Sequence, residues 1–189
     1  MIADRFCIHS DGAIKERLSP QELVDCNYEN YGCAGGYLMT SMDYLMSEGT
    51  VPRDCMPYTG VTGTCTYRCS NGDQSRYQKY YCKPGTLSIT ASYEQLKRDI
   101  YENGPIMVGL TMYEDFMNYE AGLYRHVTGE YVGGHAMKML GWGYDDTYGL
   151  YWELQNQWTE DWGEGGFVRV VHKEIGIDSV GISCMPDLV

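Results

Sequence analysis

Gly133-Gly134-His135-Ala136-Met137-Lys138-Met139-Leu140-Gly141-Trp142-Gly143 runs into Tyr144-Asp145-Asp146-Thr147-Tyr148-Gly149 and then into Leu150-Tyr151-Trp152, on the way to Asn156-Gln157-Trp158. Ala136 to Gly143 reads as a buried strand, the Asp- and Gly-containing stretch as a turn, and Leu150 onward as a return strand. A hairpin of this kind sets His135 beside Asn156. The pair has a chemical meaning. A thiol attacks an amide well only as a thiolate, and a neighbouring imidazole takes its proton and holds the ion pair. The imidazole needs a third group to fix its tautomer and ring angle, and an amide side chain suffices. A lone histidine in an apolar strand is more often a core or surface residue, so the pairing rests on more than the hairpin.

Composition narrows the alternatives. The chain has 189 residues and a net charge of −12, with no basic cluster, which argues against a nucleic-acid partner. Its 43% hydrophobic content suffices for a real core, yet its apolar runs are far too short for a membrane span. The length fits one domain or two small packed lobes. Ser19-Pro20-Gln21-Glu22 and Ser92-Tyr93-Glu94-Gln95 read as capping boxes opening helices. Tyr37 to Glu48 has helical periodicity and stops at Gly49. Strands dominate afterwards: Ile106 to Tyr113, His135 to Gly143, Leu150 to Asn156, Phe167 to Val171 and Gly181 to Met185. Helices followed by strands suggest an α+β arrangement of two lobes, with residues 1–86 helical and 87–189 rich in strands.

Eight cysteines in this length suggest an oxidising compartment. Sequence alone leaves about 105 pairings open. Cys65-x-x-x-Cys69 has ligand-like spacing for zinc, but no matching Cys/His pair completes a site. No metal or cofactor is implied.

The chain resembles the papain family of cysteine peptidases, and most of all its cathepsin B branch. The family carries G-G-H-A at its catalytic histidine, N-S-W at the orienting asparagine and W-G-E-x-G-Y/F just after. Here these are Gly133-Gly134-His135-Ala136, Asn156-Gln157-Trp158 and Trp162-Gly163-Glu164-Gly165-Gly166-Phe167. Upstream, Ser19-Pro20-Gln21-Glu22-Leu23-Val24-Asp25-Cys26 and Gly32-Cys33-Ala34-Gly35-Gly36-Tyr37 match S-x-Q-x-L-x-x-C and G-C-x-G-G-Y/F. Tyr124-Arg125-His126-Val127-Thr128-Gly129-Glu130 is especially like cathepsin B. The similarity spans essentially the whole chain in order.

The resemblance implies the papain-like two-lobed fold, with a helical left lobe and a β-barrel-like right lobe. It makes His135 and Asn156 catalytic. Gly36 and Gly134 would hold substrate backbone, Trp158 would cover the His135–Asn156 hydrogen bond, Trp162 would line the leaving-group side, and Val180 would sit in the second specificity pocket. It pairs Cys26 with Cys65 and Cys55 with Cys69. It leaves Cys82 and Cys184 without counterparts, and gives Cys7 and Cys33 partners in an N-terminal segment. That segment also carries the nucleophile, in a C-G-S-C-W motif ~130–150 residues before the histidine and asparagine. No such motif occurs here. Cys7 lies near the allowed window, but Asp4-Arg5-Phe6-Cys7-Ile8-His9 resembles the end of the helix that carries the nucleophile, where the cysteine is a disulfide partner. The left lobe is thus expected to begin past the nucleophile.

Two readings follow. The first is a cathepsin B-like endopeptidase acting on peptide or protein substrates in a lysosome, a vacuole or outside the cell. Its nucleophile would come from its own N-terminal segment. The second is an inactive homologue serving as a structural or binding subunit of another protein. Gln157 in place of the family serine, and Glu153 at an apolar strand position, favour the second for this chain alone. The paired histidines behind the dipeptide-releasing activity of cathepsin B are absent between Cys55 and Cys69, so that activity is not carried over.

Overall fold

The computed structural model describes residues 1–188. Two compact units emerge: Ser88–Ser183 together with Met1, and Ile2–Leu87 together with Cys184–Val189.

The second of these is helical. It contains α1 (Ile2–His9), α2 (Pro20–Cys26) and α3 (Leu38–Ser47). Ser19 caps α2 by accepting from the Glu22 N–H at 3.2 Å, and Pro20 supplies a first-turn residue that has no N–H to satisfy. The box is only half formed, because the Glu22 carboxylate turns inward instead. It accepts from Val51 N–H and pairs with Lys79, which lies over the Tyr44 and Tyr77 rings. Met42 and Leu45 of α3 are buried, as are Phe6, Val51 and Met56. The loop-rich stretch after α3 holds little regular structure. It is stapled by Cys55–Cys69 and tied to α2 by Cys26–Cys65, with Cα separations of 4.4 and 4.8 Å. Cys82–Cys184, which nothing in the sequence connects, spans 102 residues and secures the C-terminal segment to this unit. There Arg5, almost fully buried, donates to the Cys184 carbonyl at 3.2 Å.

The other unit is built on a seven-stranded sheet: β1 (Ser88–Thr90), β2 (Ile106–Tyr113), β3 (Leu123–Tyr124), β4 (Tyr131–Asp145), β5 (Gly149–Gln155), β6 (Phe167–Val171) and β7 (Gly181–Ser183). Its order is β1-β7-β2-β4-β5-β6-β3, antiparallel except for β3 against β6. This corrects the barrel-like expectation: the sheet is open. Closure needs edge strands long enough to pair across the seam, and the edges here have three and two residues. Helix α4 (Tyr93–Asn103) covers the sheet with Leu96 and Ile100, and α5 (Glu114–Met117) buries Phe116. The capping box expected at Ser92 does not form. The Thr90 hydroxyl takes both of its partners, accepting from Ser92 N–H and donating to Gln95 Oε1. Alternation is clean on β5, where Leu150, Trp152 and Leu154 are buried and Glu153 faces solvent. Glu153 therefore carries no buried charge.

Candidate active site

The β4–β5 hairpin turns at Asp145, whose Oδ1 accepts from Thr147 and Tyr148 N–H. Gly149 then takes φ +74°, a conformation that glycine adopts without strain. The ladder runs back to Lys138 opposite Gln155 and stops there. Asn156 leaves it, donating its N–H to the Gly166 carbonyl at 2.9 Å. On β4, His135 lies opposite Leu110 of β2. The two side chains meet: His135 Nε2 and Asn156 Oδ1 are 2.9 Å apart.

The proton can be located. Asn156 Oδ1 also lies 2.9 Å from the Gln157 backbone N–H, which can only donate. The atom facing it must therefore be the amide oxygen, and the imidazole nitrogen sharing that oxygen must carry hydrogen. Nδ1 is then the basic nitrogen. Burial lowers the pKa of His135 from its ordinary value, and the Asn156 hydrogen bond pulls it partly back up. The result is a neutral base near pH 7. Asn156 is only 8% exposed, and its Nδ2 makes no hydrogen bond, so Oδ1 alone anchors the side chain.

An aromatic shelf supports the pair. Trp158 stacks on His135 at 4.9 Å between centroids, Trp162 meets Trp158 edge-on at 5.3 Å, and Phe116 touches Trp158 and Trp162 at 5.9 and 5.3 Å. Trp162 Nε1 donates to the Met117 carbonyl. Glu164, held low in pKa chiefly by the two-pronged contact from Arg169, accepts from Gly122 N–H and fixes the loop that carries Trp162.

Sequence reasoning missed Asp115. Its carboxylate accepts from Tyr124 O–H, Val127 N–H and Thr128 N–H and pairs with His126, tying α5 to the segment leading into β4. Burial pushes this carboxyl up, but those hydrogen bonds overcome the effect and hold it well below the usual carboxylate range. A depressed native pKa stabilises the fold above the unfolded value of about 3.9, and that stability is lost as pH falls through the native one. Asp115→Asn is expected to cost about 1.5–3 kcal/mol at neutral pH. It should also flatten the fall in stability below about pH 5. Urea unfolding at several pH values measures both. An Asn variant with the wild-type pH slope would remove Asp115 from this role.

Gly134 is exposed on β4, and a side chain added there would meet nothing within 4 Å. Val180, half-buried, immediately precedes β7 in the same unit. Gly36 belongs to the helical unit, where a Cβ would strike the Asn30 side chain at 2.4 Å, a local packing reason for glycine. Cys7 and Cys33 carry no disulfide among the described residues. Nor, among these, do three or more His, Cys, Asp or Glu side chains gather to hold a metal ion. No helix among them is long and apolar enough to cross a membrane.

The open sheet thus carries a histidine locked by an asparagine oxygen and roofed by tryptophan. The papain family, described as papain family cysteine protease, matches residues 1–185, and the chain belongs to it. The chain is 35% identical to a gut-specific cysteine proteinase of Caenorhabditis elegans, covering 96% of this chain and 60% of that one. It is 31% identical to cathepsin B-like protease 1 of Arabidopsis thaliana, covering 98% and 53%. The solved structure of procathepsin B S9 from Trypanosoma congolense superposes with a TM-score of 0.89 at 30% identity, covering 98% of this chain and 65% of that one. The chain thus spans little more than half the length of the curated relatives it matches.

Proposed function

We propose that this chain supplies the histidine–asparagine half of a cathepsin B-like cysteine endopeptidase. The observation that carries the reading is the His135 Nε2–H···Oδ1 Asn156 hydrogen bond, which leaves Nδ1 as the base. The nucleophilic thiol belongs to a cysteine outside residues 1–189, and the chain by itself is inactive. In the reaction, His135 Nδ1 takes the thiol proton and the thiolate sulfur bonds to the substrate carbonyl carbon. The imidazolium then gives its proton to the leaving amine as the C–N bond breaks. Water, deprotonated by the same nitrogen, releases the acyl group and restores the thiol. Asn156 keeps the ring in register throughout, and Trp158 keeps water from its hydrogen bond. Gly36 and Gly134 hold the extended substrate backbone, and Trp162 lines the leaving-group side.

Partners on this reading are a peptide or protein substrate and the N-terminal segment or companion chain that brings the thiol. Three disulfides suit a lysosomal, vacuolar or extracellular setting. The alternative, an inactive structural or binding subunit, draws on the replacement at Gln157. Glu153 supports it less, because that side chain is exposed.

Val180 gives the second specificity pocket no charge. The native species is therefore expected to cleave fluorogenic dipeptidyl substrates faster with phenylalanine than with arginine second from the scissile bond. A clear arginine preference would overturn the pocket assignment, and no hydrolysis of either would favour the inactive subunit.

A further inference from the structure

Gln157 stands where the β4–β5 ladder would continue if it did not end. Lys138 faces Gln155, and one ladder step of two residues further on, Ala136 would face position 157. The backbone no longer pairs there, since Asn156 has turned to donate to Gly166. The Gln157 side chain makes the bond instead. Its Nε2 donates to the Ala136 carbonyl at 2.9 Å, and a carbonyl can only accept, so the facing atom is the amide nitrogen. Its backbone N–H meanwhile donates to Asn156 Oδ1 at 2.9 Å. One residue therefore grips the peptide next to His135 with its side chain and the amide that orients His135 with its main chain.

We infer that Gln157 is a positioning residue for His135: its side-chain amide replaces the missing ladder hydrogen bond and so fixes the separation of His135 and Asn156. A side chain ending at its γ atom stops two bonds short of this reach. The Asn156 side chain has only Oδ1 to anchor it, so the spacing of the two strands at this point sets how well the imidazole is held. The inference rests on reading His135 as the general base.

The test is proton exchange at His135 Nε2, followed by NMR of nitrogen-labelled histidine in the native protein. Gln157→Met and Gln157→Glu keep the length and lose the donor, while Gln157→Lys restores a donor. Loss of one hydrogen bond should quicken exchange about five- to tenfold in the Met and Glu variants and leave the Lys variant near wild type. Backbone amides of Trp152 and Val168 should keep their protection. Wild-type exchange in the Met and Glu variants would overturn the inference, and so would parallel loss of protection at the sheet amides. Failure of the general-base reading is distinguishable, because it would appear as peptide hydrolysis surviving His135→Ala whatever the exchange data show.

Discussion

On the proposed function, His135→Ala is expected to lower kcat/KM of the native species by about 100- to 10,000-fold or more, with little loss of stability. The prediction follows from the division of labour at the site. The thiol is weak as an acid, and only a base already aimed at it makes thiolate at neutral pH. On the proposed function Nδ1 is that base, because Nε2 is committed to Asn156. Alanine removes both the proton acceptor and the later proton donor to the leaving amine, so acylation and deacylation fail together. The fold is spared, because His135 lies near the sheet's surface, half-buried, and loses chiefly its stacking on Trp158. Asn156→Ala should cost activity too, through loss of tautomer and ring orientation. Steady-state kinetics on both variants, beside thermal unfolding, separates the effects. Turnover in the His135 variant within a few-fold of wild type would mean that another group is the base.

Trp152→Ala should destabilise the sheet unit by about 3–5 kcal/mol. Trp152 is fully buried on β5, flanked in register by Trp142 of β4 and Val170 of β6. Losing the indole leaves a cavity in the core cluster that also holds Met139, Leu154, Val168 and Ile177, and a rigid sheet cannot close it. A polar loss adds to it. Trp152 Nε1 donates to the largely buried Asp178 carboxylate at 3.1 Å, as does Lys173 N–H at 3.3 Å, and the His172 ring lies against the same carboxylate. Domains have net stabilities of only ~5–15 kcal/mol, so the variant sits close to unfolding. Urea denaturation should show a lowered midpoint with an unchanged slope. Trp152→Phe refills much of the volume but leaves Asp178 short of a donor, and should fall between. A loss below about 1 kcal/mol for the alanine variant would mean that this residue is not at the centre of the core.

Much of this arrangement is legible in the sequence, and the reasons are local. Ser19-Pro20 fixes where α2 starts, because a capping oxygen and a preset φ act within one turn. The β4–β5 hairpin is written in an apolar strand, a stretch rich in turn residues from Tyr144 to Gly149 and a return strand from Leu150, so the approach of His135 to Asn156 can be anticipated. Other features depend on partners far along the chain. Strands of three and two residues at the sheet's edges exist only because β7 and β6 offer them a ladder, and no periodicity marks them. Thr90 diverts the Ser92 cap through hydrogen bonds that no helix-start pattern includes. Asp115 sits in a four-residue helix, too short to leave a repeat, and its role appears only once residues 124–128 fold over it. Gln157 reads as a mere departure until its side chain is seen to reach Ala136.

The most direct measurement is irreversible labelling of the native species with an epoxide thiol inhibitor, followed by intact mass and peptide mapping. The account predicts one label per active site, on a cysteine outside residues 1–189 that accompanies this chain, and none after His135→Ala. Label on Cys7, with turnover that still depends on His135, would contradict it and place the nucleophile within this chain.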